Sequence, residues 1–489
     1  MSGAPATLDL RTPRTIHIVG IGGAGMSAIA AVLSRMGHSV TGSDLKESAV
    51  LQRLRVSGVD ARVGHAADRV PDDVDALVVS SAIPDNNPEV EAAIARGVPV
   101  LRRAEALRAL VATRRTVAVA GSHGKTTVSS MLALMLRSAG WHPSFVIGGD
   151  LNEVGSNAAY DEGEWLVVEA DESDGTFLEL APEAAIVTNV EPDHLDHYGG
   201  FAPLVDAFAR FLAAVPGVRV ACADDEVAAR LAAEIPGTRT YGWDEGAEYR
   251  VVAYAGGRRG SRFELHHGAT VLGVVELPVP GRHNALNAAG AAAIALELGV
   301  PFDAIGRALR GFGGVARRFQ FRGEVDGITL IDDYAHLPSE VAAALGAARE
   351  GDWRRVVAVF QPHRYTRTAR LWREFADAFV DADALVLTDV YPAGEPPQPG
   401  VSGRLVLQAV LDAHPSTAVT YLPRRTDVVQ HALRLARPGD VLLTLGAGDL
   451  TTVPDEWLAR AGGTMATGAT GTGATGAGAK AGGDGESAS

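Results

Sequence analysis

A single cysteine, Cys222, stands in 489 residues. One thiol excludes an intrachain disulfide and any cysteine-built metal cluster; it points to a reducing compartment and to a buried structural role for Cys222. No apolar stretch follows Met1, and no run of about eighteen uncharged apolar residues occurs, so neither export nor membrane spanning is expected and the cytoplasm is the expected location. Positive charge is also scarce: 44 Lys and Arg against 59 Asp and Glu leave a net charge of −15. That balance argues against a nucleic-acid partner, which needs clustered Lys and Arg, and leaves anionic substrates to local sites. What the chain has is length and an apolar content of 47%, enough for two or three globular domains. From Gly462 the composition collapses to "GGTMATGATGTGATGAGAKAGGDGESAS", which reads as a disordered tail, and Pro5 and Pro13 mark a loose opening segment.

Two glycine-rich turns organise the rest. Ile16 to Val19 is a β-prone run leading into Gly20-Ile21-Gly22-Gly23-Ala24-Gly25, a full G-x-G-x-x-G. A helical stripe of Ile29, Val32, Leu33 and Met36 follows, with Gly37 as cap, then a second strand ending at Asp44. An acid about twenty residues beyond the loop completes a dinucleotide-type fingerprint. A hundred residues on, Thr116 to Val119 leads into Gly121-Ser122-His123-Gly124-Lys125-Thr126-Thr127. The usual first glycine of a phosphate loop is Val119 here, so the pattern match is partial, but its working parts are present. Gly121 and Gly124 allow close backbone approach, Lys125 supplies a point charge, and Thr126 or Thr127 offers a hydroxyl to Mg²⁺. Val128, Met131, Leu132, Met135 and Leu136 then form one apolar helical stripe. Alternating strands and helices favour α/β units with parallel sheets. Two phosphate-binding turns on two units suit an enzyme that uses ATP on a nucleotide-linked substrate.

Chemistry gathers at strand ends. Trp165 to Val168 is an apolar strand stopping at Glu169, where an acid commonly holds the magnesium of a bound nucleotide. Asp171, Glu172 and Asp174 beyond it read as a solvated acidic loop. A strand over 185–190 ends in Glu191-Pro192-Asp193-His194-Leu195-Asp196-His197, which suits either a second cation or an exposed helix cap. His283, Asn284 and Asn287, at the start of an Ala-rich helix, suit a purine edge or a ribose, or a simple helix cap.

GSHGKTT, EADESD, EPDHLDHY, GRHNALN, the Arg-Arg-Phe at 317–319, DDYAHLP and QPHRYTR occur in that order. Together, from about Ile16 to about Trp457, they resemble the Mur ligase family of peptidoglycan synthesis. The resemblance implies three domains: a Rossmann-like UDP-sugar domain over 1–111, a central P-loop ATPase-like parallel sheet over 112–315, and a Rossmann-like C-terminal domain over 316–461 ahead of the tail. It implies UDP-sugar contacts from Gly20, Gly22, Gly23, Ala24, Gly25, Ser43 and Asp44. ATP would meet Gly121 to Thr127, His283, Asn284, Asn287, Arg318 and Asp333, with Lys125 on the phosphates. Thr126 and Glu169 would hold one Mg²⁺ and His194 a second. Tyr334, His336, Arg364 and Arg367 would meet the amino acid and the muramyl carboxylate. Leu337 departs from the family pattern of a second histidine, so His336 is expected to act alone.

The implied reaction joins L-alanine to the lactyl carboxylate of UDP-N-acetylmuramate through an acyl phosphate, in a monomer or homodimer. A recycling member of the same family, which attaches a murein peptide to the same UDP-sugar, differs in acceptor size. A nicotinamide-dependent oxidoreductase leaves the lysine loop idle, and a nucleotide-gated binding protein forms no amide.

Overall fold

The computed structural model describes residues 8–80 and 82–461. Residues 1–7 and the stretch read as a tail lie outside them.

In the N-terminal part the β-prone run becomes the strand Thr15–Val19, with Ile16, Ile18 and Val19 fully buried. It is the middle of a five-stranded sheet, all parallel. In spatial order the strands are Asp60–Val63, Ser39–Asp44, Thr15–Val19, Ala76–Val79 and Val100–Arg102. The chain reverses direction across the sheet at this central strand, so the loop at its carboxyl end opens into a crevice. The loop Gly20–Gly23 occupies that point, and the helix Ala24–Arg35 leaves from it.

The same logic places the second loop. The strand Arg115–Ala120 lies between Trp165–Glu169 and Ala184–Val187, paired parallel to both. Its carboxyl end is therefore flanked by Glu169 on one side and by Thr188 and Asn189 on the other. The helix Lys125–Ser138 follows, and Val128, Met131, Leu132, Met135 and Leu136 are all fully buried, in a helix enclosed by the sheet and by the helices Arg282–Glu297 and Phe302–Arg310. This central sheet has ten strands and is not purely parallel. Tyr249–Gly257, Gly260–His267 and Thr270–Leu277 join through tight glycine-containing turns and extend it with two antiparallel pairings. Ser144–Leu151 and Ser156–Ala159 form another antiparallel pair at the far edge.

The last sheet has six strands in the order Gln320–Val325, Ile328–Asp333, Asp440–Leu445, Arg355–Phe360, Ala384–Thr388 and Val419–Leu422. Only the first pairing is antiparallel. Asp333 and Tyr334, Gln361 to Arg364, and Gly446 thus emerge at one end of the sheet, facing the central unit. Cys222 is buried, and burial pushes its thiol up to about 12, so it stays protonated. Among the described residues no helix is long and apolar enough to cross a membrane.

Candidate active site

Gly124 begins the phosphate-loop helix with φ +79, and a Cβ there would collide with the Asn287 amide oxygen. The turn is therefore pressed against the helix Arg282–Glu297. Asn189 fixes its other side, accepting the Ser122 N–H on its carbonyl (3.0 Å) and the His123 N–H on its side chain (2.8 Å). No side chain caps the helix start, so its free N–H groups remain available to an anion.

Lys125 does not point into water. Its Nζ donates to both oxygens of Glu172, at 2.8 and 3.0 Å, and to the Gly121 carbonyl. Glu172 is only 2% exposed, which corrects its reading as part of a solvated loop. Burial opposes charge on Lys125, but Glu172, Asp171 and Glu169 outweigh it and raise the ammonium above its ordinary value. Asp171 in turn takes an ion pair from Arg103 of the N-terminal unit at 3.2 Å. The Arg103 side chain also borders Gly25, and Asn157 donates to the Ala24 carbonyl at 3.0 Å. Arg103 thus links the first glycine loop to the acids around Lys125 across a domain boundary.

In the first loop, the Asp44 carboxylate accepts the Gly22 N–H at 2.9 Å, and a Cβ at Gly22 would meet that carboxylate and Leu51. Ser43 differs from expectation. Its hydroxyl is fully buried and donates to Glu89 Oε2, with His65 Nδ1 at 2.8 Å, while His17 lies 3.4 Å from the same carboxylate. Only the Ser43 main chain faces the loop, accepting the Gly20 and Ile21 N–H groups. Nothing in the local sequence marks Glu89, because its partners come from two separate strands and a turn.

Between the central and C-terminal units a cavity of about 230 Å³ is lined by His123, Asn189, His283, Asn287, Arg318 and Asp333. Burial and the nearby Arg318 charge push His283 down to about 4, so it presents a neutral imidazole. Burial lifts Asp333 to about 6, although it accepts the Phe319 and Ala335 N–H groups. Asn284 also borders this cavity, but its side-chain amide is already donated to the Pro280 carbonyl at 2.7 Å.

His123 spans the gap between units. Its Nε2 lies 3.0 Å from Glu191 and its Nδ1 3.1 Å from Glu340 on the helix Pro338–Arg349. Burial opposes protonation, but the two carboxylates prevail and lift His123 to about 10. Asp193 pairs with Arg367 at 3.1 Å, and Asp196 pairs with Arg370. The acids of the 191–197 turn are therefore largely committed to the C-terminal unit. A second cavity, about 190 Å³, lies beside these pairs and is lined by His194, Arg364, Arg367 and Glu374.

His336 is held by its own backbone. Its Nδ1 is 3.0 Å from the Tyr334 carbonyl, which can only accept, so Nδ1 carries the proton and Nε2 keeps the lone pair. Burial pushes His336 down to about 4. A second histidine does stand beside it: the His363 ring is 5.7 Å away, stacked on Tyr391, with Nδ1 accepting from Arg367 at 3.0 Å. Leu337 is 4% exposed and packs into the C-terminal core, so that position faces away from the site. His336 does not stand alone, and the imidazole beside it comes from the QPHRYTR stretch.

Residues 15–115 match the Mur ligase family, catalytic domain, residues 119–295 the Mur ligase middle domain, and residues 317–448 the Mur ligase, glutamate ligase domain. This chain belongs to the Mur ligase family. It is 46% identical over 451 residues to a UDP-N-acetylmuramate--L-alanine ligase of Pelotomaculum thermopropionicum, covering 91% of this chain and 97% of that one. A protein of the same name from Rubrobacter xylanophilus is 48% identical over 453 residues, covering 91% and 99%. Among solved structures, a UDP-N-acetylmuramate-alanine ligase from Thermotoga maritima superposes with a TM-score of 0.78 at 30% identity, covering 91% and 99%.

Lys125, Thr126 and Glu169 lie at the carboxyl end of the central sheet and Asp333 and His336 just beyond a strand of the C-terminal sheet, while Asn287 and Arg367 come from helices and Arg318 from the domain junction. Among the described residues no three of His, Cys, Asp and Glu form a ready-made metal cage. Glu169 is nonetheless oriented, accepting the Gly148 N–H at 2.8 Å, and Thr126 lies in the first helical turn beside Gly149.

Proposed function

We propose that this chain is an ATP-dependent ligase that joins L-alanine to the lactyl carboxylate of UDP-N-acetylmuramate. The observation that carries the reading is identity of 46–48% over 91% of the chain to relatives of that name. The site chemistry supports it. Lys125 at a helix start, with Glu169 and Thr126 near it, suits the β,γ end of ATP, and the 230 Å³ cavity suits its nucleoside. The oxygen donors Thr126 and Glu169 fit a hard cation such as Mg²⁺, while His194 offers a nitrogen to a second ion. Bound there, Mg²⁺ would supply neutralisation of phosphate charge. The first glycine loop, with Asp44 at its side, would take the diphosphate and sugar of UDP-N-acetylmuramate.

The chemistry is a carboxylate meeting a polyphosphate, anion against anion. Lys125 must exchange Glu172 for the γ-phosphate, and Arg318 adds positive charge from the domain junction. The lactyl oxygen attacks the γ-phosphorus, the bond to the β-bridging oxygen breaks, and ADP leaves. The alanine amine then attacks the acyl carbon. The C–N bond forms, the C–O bond to phosphate breaks with its electron pair on phosphate, and nitrogen sheds a proton. The departing phosphate can carry that proton, while His336, neutral with a free Nε2, is placed to take the earlier proton whose loss turns the entering alanine ammonium into the attacking amine. Arg364 and Arg367 would hold the carboxylates in register, and docking of the domains would exclude the water that hydrolyses an acyl phosphate. These soluble substrates and the lone buried thiol suit a cytoplasmic enzyme.

The test is product formation from UDP-N-acetylmuramate and ATP across a panel of acceptors. L-Alanine should give the amide, with glycine and L-serine poorer by about 1 to 3 kcal/mol, the worth of one methyl or hydroxyl in a small pocket. A strong preference for a murein tripeptide would assign the recycling activity instead.

A further inference from the structure

Glu340 is the third residue of its helix, where a carboxylate ordinarily does one thing, which is to cap the helix start. One oxygen does that. Oε2 accepts the N–H of His336 (2.9 Å) and of Leu337 (3.2 Å), and it lies 3.3 Å from His336 Nδ1. Oε1 is directed elsewhere, to His123 Nδ1 at 3.1 Å in the phosphate loop and to Arg318 at 3.9 Å in the domain junction. Both partners of the His123 contact are largely buried, at 14% and 12% side-chain exposure. A cap needs neither the second set of contacts nor a location across a domain boundary. Ser339 repeats the link, donating to Glu191 at 2.7 Å, and Glu191 holds the other side of His123. A single carboxylate therefore touches the loop that would hold the phosphates and the imidazole that would take the amine proton.

We propose that Glu340 is a positioning residue that couples the phosphate loop, through His123, to the orientation of His336, so that amine attack is favoured only while the two domains are docked. The proposal rests on the ligase reading above. It differs from that reading in concerning the second half-reaction alone. Acyl phosphate formation needs Lys125 and its surroundings, but not a base for the amine. L-Alanine arrives as an ammonium and must lose a proton, whereas hydroxylamine is neutral near pH 7 and can trap the acyl phosphate without His336.

The experiment compares two products of the full-length enzyme with ATP and UDP-N-acetylmuramate, the alanine amide and the muramyl hydroxamate. Glu340→Gln keeps an oxygen to cap the helix and removes the charge that holds His123. The expected result is amide formation reduced by about ten- to a hundredfold, the scale of a misplaced catalytic group, with hydroxamate formation nearly unchanged. His123→Gln should shift the same amide-to-hydroxamate ratio, and the double variant should add little to either single change. The ratio is independent of any loss in ATP turnover, so it also serves if Glu340→Gln is poorly folded and only His123→Gln can be measured. A ratio equal to wild type in these variants, with both products unchanged or both reduced together, would overturn the coupling and leave Glu340 as a cap. If the wild-type enzyme forms neither product, it is the ligase reading that fails.

Discussion

His123 should remain an imidazolium far above the ordinary range of histidine. It lies between Glu191 and Glu340 at 3.0 and 3.1 Å, and their pull lifts it from 6.5 to about 10 against the cost of burial. A shift of that size corresponds to about 5 kcal/mol of preference for the charged form in the folded protein, as an order of magnitude. The sign follows from linkage. The folded-state value is raised, so the contribution is complete below pH 6.5 and is lost as pH rises through about 10. At pH 7.5 it should amount to about 3 kcal/mol. Because one partner is in the central unit and the other in the C-terminal unit, this energy goes partly into holding the two together. Histidine NMR, with His123→Gln to assign the resonance, measures the titration directly. Thermal midpoints from pH 7 to 10 should show the wild type losing its advantage over His123→Gln as pH rises. A His123 resonance that titrates between pH 6 and 7 would refute the reasoning.

Gly124→Ala should cost about 1 to 3 kcal/mol in backbone strain, and it should also drive the loop off Asn287, seen as a raised KM for ATP. Wild-type affinity for ATP in that variant would remove the steric argument. Glu172→Gln strands a buried ammonium and should lower stability by about 3 kcal/mol, read as a fall in the urea midpoint; an unchanged midpoint would mean that Lys125 finds another partner. Glu169→Gln should lower turnover at limiting magnesium while UDP-N-acetylmuramate binding, measured by calorimetry, persists; unchanged turnover would remove Glu169 from the metal site. His336 stays neutral down to about pH 4, so amide formation should show no His336-dependent acid limb near pH 6.5, and a limb there that vanishes in His336→Gln would contradict its buried, neutral state.

Local patterns were legible in the sequence and cross-domain pairings were not. The stripe from Val128 to Leu136 is set by helical spacing, and the positions of both glycine loops follow from a strand running into a tight turn. Glu172 could not be told from Asp171 or Asp174 by sequence, because burial depends on the lysine that folds over it. Leu337 was misleading for a related reason. The next residue, Pro338, starts a helix, and that turn aims position 337 into the core, so histidine content at 336 and 337 says little about which imidazoles meet. His363 was visible within QPHRYTR, but its role depends on two interior strands, Ile328–Asp333 and Arg355–Phe360, whose carboxyl ends lie at the same end of one sheet. The antiparallel hairpins over 249–277 were missed because their turns carry ordinary glycine signals in a glycine-rich chain. The expectation of a disordered tail lies outside the described residues.

The central claim is that ATP activates the lactyl carboxylate at its γ-phosphate, and isotope transfer tests it most directly. UDP-N-acetylmuramate labelled with ¹⁸O in the lactyl carboxylate is turned over with ATP and L-alanine, and the phosphorus products are analysed by mass. Lys125 at the loop and Glu169 beside it direct charge stabilisation at the β,γ end, so one labelled oxygen should appear in inorganic phosphate, with ADP formed in equal amount. Label recovered in AMP, with pyrophosphate released, would contradict the account and the role assigned to Lys125.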